Sequence, residues 1–165
     1  AMLGQILTFM SERASALGVF FIFTANDMSK FPVELVRRFD LRMFVDLPSS
    51  NERDHIFRLK MSENQQTTEG IDMDEIVRNT NEYSGSDIEQ VVEKGMSYAY
   101  RDGRRPPTTE DYLQAIDKTV PTAHTYADQI DHMKKWVKDK TMIPANSESI
   151  SLSEKESEDS IRSVI

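Results

Sequence analysis

One asparagine and two adjacent arginines near the start of the chain could act together on an anion. Asn26 follows the apolar run Val19–Phe23, and Arg37 and Arg38 come after it on a predicted short helix. An amide side chain can orient a water molecule, and the planar fork of a guanidinium matches the oxygen atoms of a phosphate group. These residue types therefore indicate that an anion could bind at the end of a buried strand.

Each of these residues also has a purely structural interpretation. Asparagine is common in the turn that follows a strand, because it tolerates left-handed backbone angles. Adjacent arginines on a helix most often form a solvated face. The functional interpretation depends on the combination, because α/β proteins bind ligands at the carboxyl ends of their strands.

The first part of the sequence predicts the elements that position these residues. An apolar helix stripe comes first, at Leu3, Ile6, Leu7, Met10 and Ala14. The continuous apolar run Val19–Phe23 is typical of a parallel strand covered on both faces. A short helix should follow from Pro32 to about Arg38, and a second strand over Met43–Leu47.

From residue 49 onward the sequence predicts only helices. The pattern of Ser or Thr followed three residues later by Asp or Glu is a capping box, which opens a helix. Capping boxes begin at Ser49, Ser84 and Thr108, and Asp72 should cap a further short helix. A last helix carries apolar residues between Tyr126 and Val137.

In this order the motifs resemble the C-terminal part of an AAA+ ATPase module. The stretch F-I-F-T-A-N-D, which ends at Asp27, resembles the sensor-1 strand, and R-R-F-D, which ends at Asp40, resembles the arginine-finger segment. The stretch Y-S-G-S-D-I, which ends at Ile88, resembles the start of the lid helix near sensor 2. The sequences T-A-N-D and F-V-D-L-P-S are most similar to those of an uncharacterised AAA+ family of cyanobacteria, plastids and other bacteria.

The resemblance, over residues 1–145, implies a role for each candidate site residue. The asparagine would orient the attacking water, and the arginines would stabilise charge on the γ-phosphate bound by a neighbouring subunit. The lid residues would lie near the base and ribose of the nucleotide. Many relatives have R-x-G-R-F-D where this chain has R-R-F-D, and histidine where Lys60 stands. The implied residues are Asn26, Arg38 and Arg37 for catalysis, and Gly85, Ser86 and Lys60 for nucleotide binding.

The six glycines never form the phosphate-binding pattern G-x-x-x-x-G-K-[ST]. We therefore expect this chain to supply neither the Walker A lysine, which binds phosphate, nor the Walker B carboxylate, which holds Mg²⁺. We expect ATP and Mg²⁺ to bind to the complete module and not tightly to this chain alone. The complete protein would be a homo-oligomeric ring, with a hexamer as the expected form, that remodels a macromolecule such as a protein.

Two alternatives stay open beside that interpretation. The chain could be a non-hydrolysing interaction module derived from an AAA+ protein. It could also be a stand-alone helical adaptor, although the apolar run at residues 19–23 disfavours this, because such a strand needs a neighbouring sheet.

Composition excludes several classes of function. A net charge of −8 and a pI near 4.9 argue against a general nucleic-acid binder. The chain has no cysteine, its three histidines lack metal-site spacing, and H-E-x-x-H is absent, so we expect no metal site and no metalloprotease function. No apolar run is long enough for a membrane span, and no signal peptide is evident. We therefore expect a cytoplasmic protein.

The predicted fold class is α/β, as an incomplete module with three segments. Residues 1–48 should form the C-terminal part of the AAA+ α/β core, and residues 49–145 the helical lid with a C-terminal helix. Residues 146–165 are acidic and rich in serine, so we expect a disordered tail.

Overall fold

The computed structural model describes residues 2–12, 17–27, 30–139 and 142–145. The chain divides into a first unit, residues 1–44 with 131–143, and a second unit, residues 45–130 with 144–165. The elements in chain order are α1 Met2–Glu12, α2 Val33–Val36, β1 Met43–Phe44, α3 Ser50–Glu63, α4 Met73–Arg78, α5 Gly85–Arg101, α6 Thr109–Asp117, α7 Thr122–Thr125, α8 Ala127–Asp139 and β2 Ile143–Pro144. The predicted tail lies outside the described residues, and the predicted segment limits stay predictions.

Aromatic contacts hold the first unit together. The ring of Phe21 lies 5.8 Å from that of Phe9 on α1 and 6.2 Å from that of Phe23, measured between centroids. The ring of Phe23 lies 5.0 Å from that of Phe39, which follows α2. These contacts connect α1, the apolar run and the segment after α2.

The predicted strand at Val19–Phe23 is wrong, because the structure assigns this run to no strand. A strand needs hydrogen-bond partners on a neighbour, and the one ladder among the described residues joins β1 to β2. In it, the Ile143 N–H donates to the Arg42 carbonyl over 3.0 Å. Phe20 and Ile22 are 84% and 79% exposed, so one side of the run is uncovered in this chain.

The second predicted strand is shorter than expected and ends at Phe44. Beyond it, the Leu47 N–H donates to the Asp46 side chain over 2.7 Å. A local bond of this kind takes a backbone donor away from a ladder. No helix among the described residues is both long and apolar enough to cross a membrane.

The second unit is a bundle of helices around one apolar core. The helices α3 to α6 supply most of it, and its buried members are Phe57, Met61, Met73, Ile76, Tyr83, Ile88, Val91, Val92, Tyr112, Ala115 and Ile116. Helices α5 and α6 pack very closely at Gly95 of α5. A Cβ atom on Gly95 would lie 2.7 Å from Cε1 of Tyr112 on α6.

The predicted helix starts of the second unit are confirmed. The Ser49 N–H donates to Glu52 over 2.9 Å, and the Ser84 N–H donates to Asp87 over the same distance. The Glu75 N–H donates to Asp72 over 2.8 Å. These caps satisfy backbone groups that a helix end leaves unpaired.

Candidate functional site

The first unit presents the three predicted catalytic residues on its surface. Asn26 is exposed in a bend just after the apolar run. Arg37 and Arg38 lie in the turn that ends α2, where their N–H groups donate to the carbonyls of Val33 and Leu35 over 3.0 Å. Both arginine side chains are exposed, and neither is in an ion pair with another described residue. The guanidinium groups are therefore free to meet an external anion.

One aromatic contact joins the segment that carries Asn26 to the segment that carries the arginines. Phe23 lies three positions before Asn26, and Phe39 directly follows Arg38; their rings are 5.0 Å apart at an interplanar angle of 63°. Leu35 of α2 is 5% exposed and anchors the helix that precedes the arginines. The contact between Phe23 and Phe39 was not predicted, because sequence spacing alone does not show which rings meet.

The predicted nucleotide-binding residues Gly85 and Ser86 form the first turn of α5 in the second unit. Ser86 is exposed at the helix start, and a Cβ atom on the half-buried Gly85 would meet nothing within 4 Å. Gly85 has no left-handed backbone angle, so neither packing nor conformation requires glycine there. The N–H groups of a first helix turn lack partners within the helix and carry partial positive charge. The space beside Gly85 therefore leaves room for a polar ligand.

A buried carboxylate organises this end of α5. Asp87, which is 1% exposed, accepts bonds from the Ser84 N–H and hydroxyl over 2.9 and 2.7 Å. It also accepts bonds from the Thr122 N–H and hydroxyl over 3.1 and 2.6 Å. Burial by itself raises the pKa of Asp87, but the bonds from Thr122 and Ser84 outweigh it and lower the pKa below its usual value. The capping role of Asp87 was predicted, but its link to α7 was not.

Acid should weaken the second unit through this carboxylate. The folded pKa of Asp87 is depressed, so its contribution is complete above the unfolded pKa of about 3.9 and disappears as the pH falls through the folded pKa. We expect Asp87→Asn to lower the free energy of unfolding at neutral pH by about 1–2 kcal/mol, because the amide cannot accept all four bonds. Urea titrations at about pH 7 and pH 3 would measure both effects.

The variant should also lose less stability than the parent on acidification. Asp117→Asn is the matched control, because Asp117 pairs with Lys118 on the surface and its side chain is 72% exposed. An acid dependence that is equal in the parent and in Asp87→Asn would contradict the assignment.

Lys60 already has two partners in the second unit. Its Nζ lies 2.9 Å from Glu89 Oε1 on α5 and 3.0 Å from Glu63 Oε2 on its own helix. The hydrogen bond with Glu89, followed by that with Glu63, raises the pKa of Lys60. The ammonium thus joins α3 to α5, and its predicted place near a nucleotide base stays a prediction.

Each unit, taken by itself, offers groups whose chemistry suits contact with a nucleotide. The free guanidinium groups of the first unit could meet phosphate oxygens, and the open first turn of α5 could meet a polar group. No cluster of three or more His, Cys, Asp or Glu residues in the described part of the chain could hold a metal ion.

Residues 70–115 match the family model of the AAA+ lid domain. The chain is 34% identical over 139 residues to the uncharacterised AAA domain-containing protein ycf46 of Pyropia yezoensis, covering 82% of this chain and 28% of that protein. It is 32% identical over 136 residues to ycf46 of Guillardia theta, covering 81% and 26% respectively. The chain therefore spans little more than a quarter of the length of these relatives.

A second kind of relative matches over a shorter length of this chain. The chain is 32% identical over 120 residues to the ATP-dependent zinc metalloprotease FtsH of Parabacteroides distasonis, covering 72% of this chain and 17% of that protein. Among solved structures, the FIGL-1 AAA domain has a TM-score of 0.58 at 23% identity, over 67% of this chain and 40% of that one. The same domain in complex with ADP has a TM-score of 0.54 at 22% identity, over 68% and 41%. The likeness to these two structures concerns the fold.

Proposed function

Because the chain belongs to the AAA+ ATPase family, as the C-terminal part of an AAA+ module, we propose that it supplies the sensor, the arginine finger and the lid of an ATPase. The predicted fold class, the last part of an α/β core followed by a helical lid, is confirmed by the lid-domain match and the AAA structural neighbours. The remaining phosphate-binding half would lie outside this sequence.

One observation carries this proposal, namely the uncovered side of the apolar run. Phe21 and Phe23 pack against Phe9 and Phe39, whereas the alternate side chains face solvent. A run of this apolar content with one open side is typical of a surface that another segment covers. The length of the relatives, of which this chain spans 28% in one case and 26% in another, supports a missing part of the core.

In the proposed enzyme, bound ATP–Mg²⁺ supplies the phosphate group on which the reaction occurs. Asn26 orients the attacking water, and Arg38, with Arg37 beside it, stabilises negative charge on the γ-phosphate held by the neighbouring subunit. Gly85 and Ser86 approach the base and ribose at the open first turn of α5. The exposed, unpaired state of both arginines supports a role toward a partner rather than within this chain.

The biological setting is proposed from the family. The complete protein assembles as a homo-oligomeric ring, most simply a hexamer, in the cytoplasm, and uses hydrolysis to remodel a macromolecule, with protein as the favoured substrate. The alternative is an interaction module without hydrolysis, and the following experiment separates the two.

The 165-residue chain should bind ATP–Mg²⁺ about 100-fold or more weakly than a protein that holds the whole module, because the phosphate loop supplies most of the donors for phosphate. Calorimetric titration of both proteins gives the two affinities, and phosphate release gives turnover. Low-micromolar binding with turnover by the chain alone would overturn the proposal that the ATP site is divided between this chain and the phosphate-binding half of the module. A whole-module protein that binds ATP without turnover would favour the interaction module.

A further inference from the structure

We propose that Arg53 is a positioning residue that fixes the direction in which the chain enters the helical unit. Its guanidinium lies between the carbonyl of Pro48, just before α3, and the carbonyl of Val77, near the end of α4. The inference rests on the proposed function, because it concerns how motion of the lid would reach the segment that carries Arg38.

The contacts of Arg53 are unusual for a buried cation. Nη1 donates to Pro48 over 3.0 Å and Nη2 to Val77 over 3.4 Å, the latter 24 positions along the chain. The residue is 7% exposed, and its buried Nε has no hydrogen-bond partner. None of the ion pairs in the described part of the chain includes Arg53.

The electrostatic compensation of this charge is only partial. Taking a cation out of water is costly, and a carboxylate partner normally offsets much of that cost. Here burial lowers the pKa of Arg53, and the compensation comes from carbonyl dipoles. The Val77 carbonyl lies in the last turn of α4, where helix carbonyls carry partial negative charge. A contribution to the free energy of unfolding therefore does not explain why an arginine lies at this position.

The guanidinium instead fixes the path of the chain before α3. Residues 45–48 contain neither helix nor strand, and the capping box of Ser49 and Glu52 fixes only the start of α3. The planar fork of Arg53 reaches two separate segments at once. The path that leads into the second unit is thereby attached to α4 as well as to α3.

Substitution should separate positioning from stability. Arg53→Met keeps a long apolar stem, loses both bonds, and also removes the buried charge, so the thermal midpoint should move little. Arg53→Lys keeps the charge, but a single ammonium lacks the planar fork that spans both carbonyls. The matched control is Arg58→Met, since Arg58 lies on the same helix and pairs with Asp54 on the surface over 2.7 Å.

The first measurement uses this chain alone, which has no cysteine. Spin labels at Val45→Cys, on the path into the second unit, and at Gln90→Cys on α5 would report the distance distribution between that path and the helices. We expect Arg53→Met to widen that distribution, Arg53→Lys to widen it less, and Arg58→Met to leave it unchanged. An unchanged distribution in a folded Arg53→Met would overturn the proposal. If Arg53→Met fails to fold, Arg53→Lys carries the same comparison.

The second measurement uses the protein that holds the whole module. We expect Arg53→Met to lower kcat about tenfold while the Kd for ATP changes less than about twofold. Losses in kcat, affinity and thermal midpoint that run in parallel would make Arg53 a structural residue and overturn the proposal. A parent protein without ATP turnover would instead contradict the proposed function, and the distance measurement would then decide the role of Arg53.

Discussion

Replacing Arg38 by alanine should lower kcat of the complete ATPase by about 10³–10⁵-fold and leave ATP binding nearly unchanged. This corresponds to roughly 4–7 kcal/mol of transition-state stabilisation. A guanidinium that meets the γ-phosphate most strongly as charge develops there contributes to kcat rather than to affinity. Lysine should be a poor substitute, because a single ammonium lacks the planar fork that pairs with two phosphate oxygens.

The structure makes Arg38 a clean position for this test. Its side chain is exposed and is not in an ion pair with another described residue. The turn that carries it is anchored by Leu35, which is 5% exposed, and by the contact of Phe39 with Phe23. Arg38→Ala should therefore leave the thermal midpoint unchanged. Arg37→Ala is the companion variant in the same turn, and its effect on kcat shows whether one arginine or both act.

Mixed rings give the decisive measurement. Subunits with Arg38→Ala would be combined in varied ratio with subunits inactivated in their own phosphate loop. If the finger acts on the neighbour, hydrolysis returns in the mixture, because an intact finger then meets an intact loop. No recovery despite confirmed co-assembly, or parent-like hydrolysis by Arg38→Ala rings, would show that Arg38 is a surface residue without this role.

Local patterns in the sequence predicted the helical part of the fold well. A capping box depends on residues three positions apart, as at Ser49 and Ser84, so its hydrogen bonds can be inferred directly from the sequence. The pairing of the apolar run at residues 19–23 could not be predicted in the same way. A ladder depends on a second strand, which the described part of this chain does not supply for that run.

The candidate site shows the same limit. The sequence predicts that Asn26 follows a buried run and that Arg38 precedes Phe39-Asp40. It does not show that Phe23 packs on Phe39. Two hydrogen bonds were not predicted for the same reason. Thr122 donates to Asp87, 35 positions away, and Arg53 donates to Val77, 24 positions away. Such partners follow from how helices pack, and periodicity gives only the face that packs.

Gly95→Ala should lower the free energy of unfolding by about 3 kcal/mol, at the upper end of the usual cost of overpacking a core. The new Cβ atom would lie 2.7 Å from Cε1 of Tyr112 and 3.3 Å from its Cγ. The Tyr112 ring is 1% exposed and belongs to the core, so it has little room to move away. The better helix propensity of alanine, about 1 kcal/mol, offsets only part of this cost.

Gly85→Ala is the matched control, because it makes the same substitution in the same helix with nothing within 4 Å of the new atom. It should change the free energy of unfolding by less than about 0.5 kcal/mol. The decisive comparison is a double-mutant cycle with Tyr112→Leu. If the clash with the ring causes the loss, Gly95→Ala should cost much less in the Tyr112→Leu background, with a coupling of about 1–3 kcal/mol. Urea denaturation of the four proteins gives that coupling. Additive effects, or a Gly95→Ala variant as stable as the parent, would show that α5 and α6 do not approach as closely at Gly95 as the packing of Tyr112 requires.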